Sequence, residues 1–229
     1  MSATEVLRYS ATAFDFNARD LVVLVVGEEQ KEMIVHGTYL VRDSEFFAAA
    51  MKKDWPEGKL RRMELPEESP DTIGHYLTYV YGRRFLPTTE IGDVPRVKTT
   101  QVNKEPHFGL VFTLLARLYV CGERLLNWDV RRAVVAEMIR LALIKDEDGH
   151  TWGLSSEAVN IIYQGTPKGS PARRVVVDMH VKRAPAVGLD DDSHPAFVRD
   201  VANSFHRIIT GEMTHEELMD SCLDSDDYL

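Results

Sequence analysis

The residues best suited to chemistry in this sequence are His36, Asp43 and Ser44, which lie close together along the chain. A histidine, a carboxylate and a serine are the three groups of a serine hydrolase, in which the histidine activates the hydroxyl. Such an enzyme commonly carries its serine on a strained turn with the pattern Gly-x-Ser-x-Gly. That pattern is absent, and Gly153-Leu154-Ser155 lacks the second glycine. The sequence therefore gives no support for a serine hydrolase at these three residues.

Metal and phosphate chemistry is equally poorly supported. Cys121 and Cys222 are far apart, and the histidines are scattered along the chain, whereas zinc ligands usually occur in closely spaced pairs. The glycines do not form a phosphate-binding loop followed by lysine and serine or threonine. The sequence thus predicts no metal, no cofactor and no enzymatic activity.

The net charge of −9 is concentrated at the C-terminus. Residues 188–229 hold eleven acidic residues against Arg199 and Arg207, whereas the other 187 residues are balanced. An acidic tail disfavours contact with a phosphate backbone. The basic segment 168–183 has no interleaved aromatic residues for base stacking. We expect no nucleic-acid partner.

The apolar runs also limit the compartments that we expect. None approaches the roughly 20 residues of a membrane span, and Met1-Ser2-Ala3-Thr4-Glu5 does not resemble a secretory signal. Two isolated cysteines favour a reducing compartment. These features predict a cytoplasmic or nuclear protein that does not bind membranes.

Strand signals dominate the first third of the chain. Leu21–Val26 is a short β-branched run, typical of a strand buried on both faces. Gly27 favours a tight turn, so that Lys31–His36 returns as the second strand of a hairpin. Leu60–Leu65 alternates apolar and charged residues and predicts a third strand. We therefore predict a mixed α/β fold with a small three-stranded sheet flanked by helices.

Helical signals surround these strands. Ser44 is a natural N-cap for a helix in which Phe46 and Phe47 belong to a buried stripe, and Ser69-Pro70-Asp71 predicts a second helix start. Leu110–Leu126 is apolar on all sides, which predicts a buried helix. Asn127 can cap the next helix. Between these elements, residues 85–106 show no sustained period and predict a long connection.

Two groups of residues resemble a known family. His36 at the end of the second strand, Ser44-x-Phe46-Phe47, and the stretch from Leu118-Tyr119 to Leu125-Leu126 resemble the BTB/POZ family. Downstream, Tyr163, Thr166-Pro167 and the paired arginines Arg173-Arg174 are similar to the tail of fungal members. The resemblance implies a BTB/POZ domain over 15–145, with a core at 18–86, a loop at 85–106 and a helical pair at 108–144. A helical extension with an acidic tail follows at 150–229.

This resemblance also implies a function. BTB/POZ domains are protein-interaction modules that commonly form homo- or hetero-oligomers, and many are substrate adaptors for cullin-based ubiquitin ligases. An interaction surface is expected around the first helices, at Tyr39, Leu40, Arg42, Met51, Lys52 and Lys53. Structural roles are expected for His36, Ser44, Phe46 and Phe47, the histidine and serine by hydrogen bonds that tie the strand end to the helix start.

Two alternatives remain open. The first is the cullin adaptor, whose usual apolar-x-Glu motif is replaced here by Met51-Lys52-Lys53, so that we predict weak or no cullin binding. The second is a nuclear or transcriptional regulatory scaffold that recruits a partner through its C-terminal helices and acidic tail.

Overall fold

A computed structural model describes residues 20–52, 56–83, 106–143, 154–183, 189 and 191–212. Within these ranges the chain has a mixed α/β architecture, in which a three-stranded sheet is flanked by helices. The predicted fold class is confirmed at this level. No helix in the described part of the chain is long and apolar enough to cross a membrane.

The sheet consists of β1 (Leu21–Val26), β2 (Lys31–His36) and β3 (Arg62–Leu65), in the order β2-β1-β3. The first two strands are antiparallel and joined by a tight turn at Gly27, whose φ of 73° suits a residue without a side chain. The predicted hairpin is therefore confirmed. The third strand runs parallel to β1 on its other side.

The two faces of this sheet have different environments. The inner face is fully packed by Val22, Leu24 and Val26 of the central strand, together with Val35 of β2 and Met63 and Leu65 of β3. On the outer face Ile34 is 69% exposed and Leu21 is also exposed. The prediction that β1 is buried on both faces is therefore wrong at Leu21, the first residue of the strand.

Four helices lie in the first half of the described chain, three between the second and third strands and one after the third strand. They are α1 (Gly37–Asp43), α2 (Glu45–Ala50), α3 (Pro56–Leu60) and α4 (Pro70–Gly82). As predicted, Ser44 and Ser69 cap α2 and α4 by accepting hydrogen bonds from the backbone N–H groups of Phe47 and Thr72. The third strand begins at Arg62 instead of Leu60, because the preceding residues form α3.

The centre of the molecule is α5 (Pro106–Arg124), and α6 (Trp128–Ala142) packs beside it. Phe112, Leu115 and Leu118 of α5 are fully buried, as its apolar sequence predicts. The helix ends at Arg124, however, and both end residues of the predicted range, Leu110 and Leu126, are exposed. Asn127 joins the two helices from a fully buried position. Its side chain caps α6 through the N–H of Val130 at 3.0 Å and donates to the Tyr76 hydroxyl at 2.8 Å.

Three further helices complete the described chain: α7 (Ser156–Gly165), α8 (Pro171–Arg183) and α9 (Pro195–Ile209). Gly165 at the end of α7 lies directly against Val120 of α5. Phe197 and Val201 of α9 belong to the same continuous apolar cluster as the inner face of the sheet. The C-terminal helices therefore share one core with the preceding elements.

Arg173 of α8 is hydrogen-bonded to the end of α7. Its guanidinium donates to the carbonyl oxygens of Tyr163 and Thr166 and, at 3.0 Å, to the Thr166 hydroxyl. The same group lies 4.6 Å from the centre of the Tyr163 ring, and the Tyr163 hydroxyl donates to Asp200 of α9. A single side chain thus satisfies carbonyl groups that the helix end leaves without partners.

Some predictions fall outside the described residues. The 85–106 connection lies almost wholly in this category, as does the predicted domain boundary around 145–150. The acidic tail beyond residue 212, which includes Cys222, also lies outside the described residues.

Candidate functional site

The residues predicted for the interaction surface separate into buried and exposed groups. Tyr39 and Leu40 of α1 are buried in the core, so they present no surface to a partner and the prediction is corrected for both. They are buried because α1 packs its apolar side against α4. Arg42 and Lys52 are exposed, Met51 is half-buried, and Lys53 lies outside the described residues.

His36 and Ser44, two of the three residues considered for a hydrolase, each bond to a different group. The backbone N–H of His36 donates to the Tyr81 hydroxyl at 2.9 Å, and its ring Nδ1 lies 3.1 Å from the same oxygen. The buried Ser44 hydroxyl donates to the Leu125 carbonyl and caps α2. His36 therefore joins the strand end to α4, and Ser44 joins the start of α2 to the residue after α5. These bonds differ from the expected ones, which would tie the strand end to the helix start.

The phenylalanine pair of α2 faces inward. Phe47 is completely buried and lies against the Tyr76 ring, and Phe46 is half-buried and packs against the same core. These positions anchor α2 to the molecule.

Asp43 is held between two arginines at the surface. Arg42 donates to its carboxylate at 2.9 Å, and Arg83 approaches the same carboxylate at 2.8 Å. Arg42 also donates to the Val80 carbonyl, and Arg83 reaches Asp129 at 3.4 Å. This network joins the ends of α1 and α4 to the start of α6.

The network sets the protonation of Asp43. Burial by itself raises the pKa of this carboxyl, but the hydrogen bonds and charges of Arg42 and Arg83 outweigh it, so that the pKa is lowered. A lowered folded-state pKa gives stability that is present above the unfolded value of about 3.9 and is lost as the pH falls through the folded value.

Asp43→Asn should therefore destabilise the chain in a pH-dependent way. We expect the difference in unfolding free energy from wild type to be constant above about pH 5 and to shrink below about pH 4, where the wild-type carboxyl becomes neutral too. Denaturant unfolding of both proteins at a series of pH values measures this difference. Asp191→Asn, at an exposed site, controls for loss of a surface charge, and a difference that grows toward low pH would contradict the prediction.

The corner between α5 and α6 presents two large apolar side chains to solvent. Leu126 is 50% exposed and Trp128 is 43% exposed, on either side of the buried Asn127. The backbone here is fixed, since Asn127 N–H donates to the Gly122 carbonyl at 2.8 Å and the Leu126 carbonyl accepts from Glu45 of α2. The two side chains are thus displayed on a rigid support.

Leu126 adopts an unfavourable backbone conformation. Its φ of 48° lies in the left-handed region, where a helix end usually carries glycine. A leucine in this region costs about 1 kcal/mol, and such strain often accompanies functional positions. The exposed leucine side chain is therefore retained at some expense of stability.

Leu126→Gly should accordingly stabilise the fold. We expect the free energy of unfolding to rise by up to about 1 kcal/mol, because glycine adopts this conformation without steric cost. Chemical denaturation measures the change. Leu110→Gly provides the matched control, since Leu110 is also exposed but lies within a helix, where glycine destabilises. A destabilised Leu126→Gly variant would show that Leu126 contributes to packing.

Trp128 occupies the first turn of α6, where its ring is partly covered by Arg131. The guanidinium carbon of Arg131 lies 4.6 Å from the ring centre, within the range of a cation–π contact. Arg131 also pairs with Glu123 of α5. The indole is consequently held in one orientation while a large part of its surface remains open to solvent.

An exposed face of α2 continues this region. Glu45, Ala48 and Ala49 of α2 are exposed, and so is Lys52, two residues after the helix. The backbone N–H of Glu45 donates to the Leu126 carbonyl, which places the start of this face beside the α5–α6 corner. We call this combined region the corner surface. It is defined by Leu126, Trp128, Arg42, Arg83, Arg132 and the exposed face of α2.

The sequence identified only part of the corner surface. Of the residues predicted for the interaction surface, Arg42 and Lys52 belong to it, whereas Leu126, Trp128, Arg83 and Arg132 were not predicted. The available signal was the Leu-Asn-Trp corner itself, where a capping asparagine turns the chain between two apolar residues.

Neither a metal site nor a similarity to known proteins assigns a function to this surface. Among the residues that the structure describes, no cluster of histidine, cysteine and acidic side chains could hold a metal ion. No protein-family model matches the sequence, and no curated protein matches it either.

Proposed function

We propose that this chain is a protein-interaction module of the BTB/POZ type and that its corner surface binds a partner protein. The exposure of Leu126 and Trp128 on a hydrogen-bonded support is the observation that carries the proposal. The order of strands and helices and the residues that resemble the family support it. In this proposal the chain acts by binding and performs no catalysis.

The energetic basis is burial of apolar surface. Tryptophan is enriched among the few residues that supply most of the free energy of a protein interface. Trp128 is already oriented by Arg131, so it loses little conformational freedom on binding. A partner that covers Trp128 and Leu126 therefore gains apolar burial at a low entropic cost.

A cullin-adaptor role is the less favoured version of the proposal. Met51 is half-buried and Lys52 is exposed at the positions where the family's apolar-x-Glu motif is expected. In this motif Lys53 replaces the glutamate, which reverses the charge that a cullin would meet. We propose weak or no cullin binding, which a pull-down with stoichiometric cullin would contradict.

The nuclear-scaffold version depends on the acidic tail. Removing residues 213–229 is the appropriate test, because a larger deletion from 188 would also remove Phe197 and Val201 from the core. Loss of partner binding with an unchanged melting temperature would favour the tail over the corner surface.

Trp128→Ala tests the corner surface directly. We expect recovery of specific partners, measured by affinity purification and quantitative mass spectrometry of the full chain, to fall by about thirtyfold or more, which corresponds to the loss of a hot-spot residue. Ile34→Ala is the matched control, since Ile34 is an exposed apolar residue on the outer face of the sheet. Circular dichroism checks that both variants fold. Equal recovery by wild type and Trp128→Ala would refute this assignment.

A further inference from the structure

We propose a second interaction surface on the outer face of the sheet, which binds a partner protein segment that carries both apolar and basic side chains. This surface is separate from the corner surface and does not depend on it. It combines an exposed apolar row on the sheet with acidic groups that the fold gathers at one end of the sheet.

The outer face of the sheet carries an exposed apolar row. Side chains alternate between the two faces of a strand, so the register places Leu21 and Val23 of β1 on this face beside Ile34 of β2. Leu21 is 38% exposed and Ile34 is 69% exposed, whereas Val22 and Leu24 on the inner face are fully buried. A partner that covers this row removes apolar surface from water, which favours association.

An ion pair borders the apolar row. Arg62 of β3 and Glu32 of β2 meet at 2.7 Å, and the pair crosses the outer face of β1 because β1 lies between their strands. The register places it over Val23 and Val25, and Val25 is only 5% exposed. Since Arg62 is paired with Glu32, it does not also neutralise Glu64, the next outer-face residue of β3, which is exposed.

The fold brings further acidic groups to this end of the sheet. The N–H of Gly27 in the hairpin turn donates to the Leu65 carbonyl at 3.0 Å, and a Cβ atom at Gly27 would lie 3.2 Å from the Glu68 carbonyl oxygen. The hairpin turn and the loop after β3 are therefore adjacent, and both carry exposed glutamates. We call the resulting group the acidic sheet end, and it consists of Glu28, Glu29, Glu32, Glu64 and Glu67.

The basic side chains near the acidic sheet end do not balance it. They are Arg62, which is paired with Glu32, Arg124, which donates to the buried Glu68 at 3.1 Å, and Lys31. With Glu68 included, six glutamates meet three basic residues in the described part of the chain, so three negative charges are not compensated. Neighbouring like charges repel one another, and a cationic partner relieves this repulsion.

The arrangement favours basic side chains on a peptide over other cations. Within the ranges that the structure describes, no group of acidic residues could hold a metal ion. A second copy of this chain fits poorly, because it would bring the same acidic groups to the surface. Ile34 is three residues along β2 from Lys31, or about 10 Å, so an extended partner segment needs its basic residues about three positions from its apolar ones.

Two synthetic peptides test the inference. Both carry the same pair of valines three positions before a charged pair, which consists of lysines in one peptide and glutamates in the other. Fluorescence anisotropy with the full chain measures each affinity. We expect the lysine peptide to bind at least about tenfold more tightly than the glutamate peptide and to weaken as salt increases.

Neutral variants localise the effect and separate it from folding. Glu29→Gln combined with Glu64→Gln should weaken the lysine peptide about fivefold or more, while the midpoint of denaturant unfolding stays the same or rises because repulsion is removed. Asp191→Asn combined with Glu212→Gln makes the same change in net charge at exposed positions on either side of α9. This matched control should leave the affinity almost unchanged.

Ile34→Ala tests the apolar row. We expect it to weaken the lysine peptide about threefold or more, because it removes most of an exposed apolar side chain from the contact. Partners held by the corner surface should still be recovered with this variant, so it remains the control for Trp128→Ala. Trp128→Ala in turn should bind the lysine peptide as wild type does.

The outcomes separate this inference from the proposed function. Equal affinities for the two peptides, no binding of either at about 1 mM, or equal effects of the two neutral double variants would overturn the sheet surface. Reduced binding of the Glu29→Gln, Glu64→Gln variant together with reduced stability would overturn it too, since these acids would then support the fold. None of these results bears on the corner surface, which Trp128→Ala tests by partner recovery.

Discussion

Arg173→Ala is expected to lower the free energy of unfolding by about 3 kcal/mol, because it leaves buried carbonyl groups of Tyr163 and Thr166 without their donor. The substitution also removes the guanidinium from the Tyr163 ring. Denaturant unfolding monitored by circular dichroism measures the loss.

Two further variants, Arg174→Ala and Arg173→Lys, are the controls for Arg173→Ala. Arg174→Ala changes the adjacent, exposed arginine of the same helix, and we expect a loss of no more than about 1 kcal/mol, the upper range for an exposed charged side chain. Arg173→Lys keeps the charge but cannot reproduce the planar set of donors, so its stability should fall between wild type and alanine. Equal effects at 173 and 174 would show that charge, and not the hydrogen bonds to the helix end, determines the loss.

Gly165→Ala is the second large effect that we expect. An added methyl group would lie 2.5 Å from both methyl carbons of Val120, much closer than contacts between real carbon atoms. Valine has few alternative rotamers, so α7 must move away from α5. We expect a loss of about 2 kcal/mol in the free energy of unfolding, measured by thermal or chemical denaturation.

Gly74→Ala is the matched substitution with the opposite sign. Gly74 lies inside α4, and a methyl group there would meet no atom within 4 Å. Alanine should therefore stabilise that helix by roughly 0.5–1 kcal/mol. If Gly165→Ala were stabilising too, α7 would not be packed as closely against α5 as the structure indicates.

The sheet was predictable because its strands differ from their surroundings in sequence. The β-branched run of β1 and the alternation of β3 distinguish them from helices, and Gly27 marks the hairpin. Exposure of the outer face was not predictable, since an unbroken apolar run cannot indicate whether anything covers each face. Leu21, the first residue of the run, is the example, since it is exposed.

The corner surface was harder to predict for a related reason. Leu126 and Trp128 are apolar, and the usual expectation for such residues is burial. Their exposure depends on the left-handed turn at Leu126, which residue type alone argues against. Conversely, Tyr39 and Leu40 were assigned to a surface by resemblance, although their apolar character favours the core position that they occupy.

The role of Arg173 was only partly predictable from the sequence. The combination of Tyr163, Thr166-Pro167 and Arg173-Arg174 stands out in the sequence by resemblance alone, which gives no physical reason for its spacing. The structure supplies one, since α8 must begin soon enough after α7 for the arginine to reach back to the carbonyl groups of its last turn.

The shared core limits how this chain can be divided. Val120 of α5 is covered by the end of α7, and Phe197 and Val201 of α9 lie in the cluster that includes the sheet. A shortened protein ending after α6 would expose this apolar surface to water and invite aggregation. Mapping of partner contacts is therefore better served by point substitutions in the intact chain than by fragments, which would confuse lost binding with lost solubility.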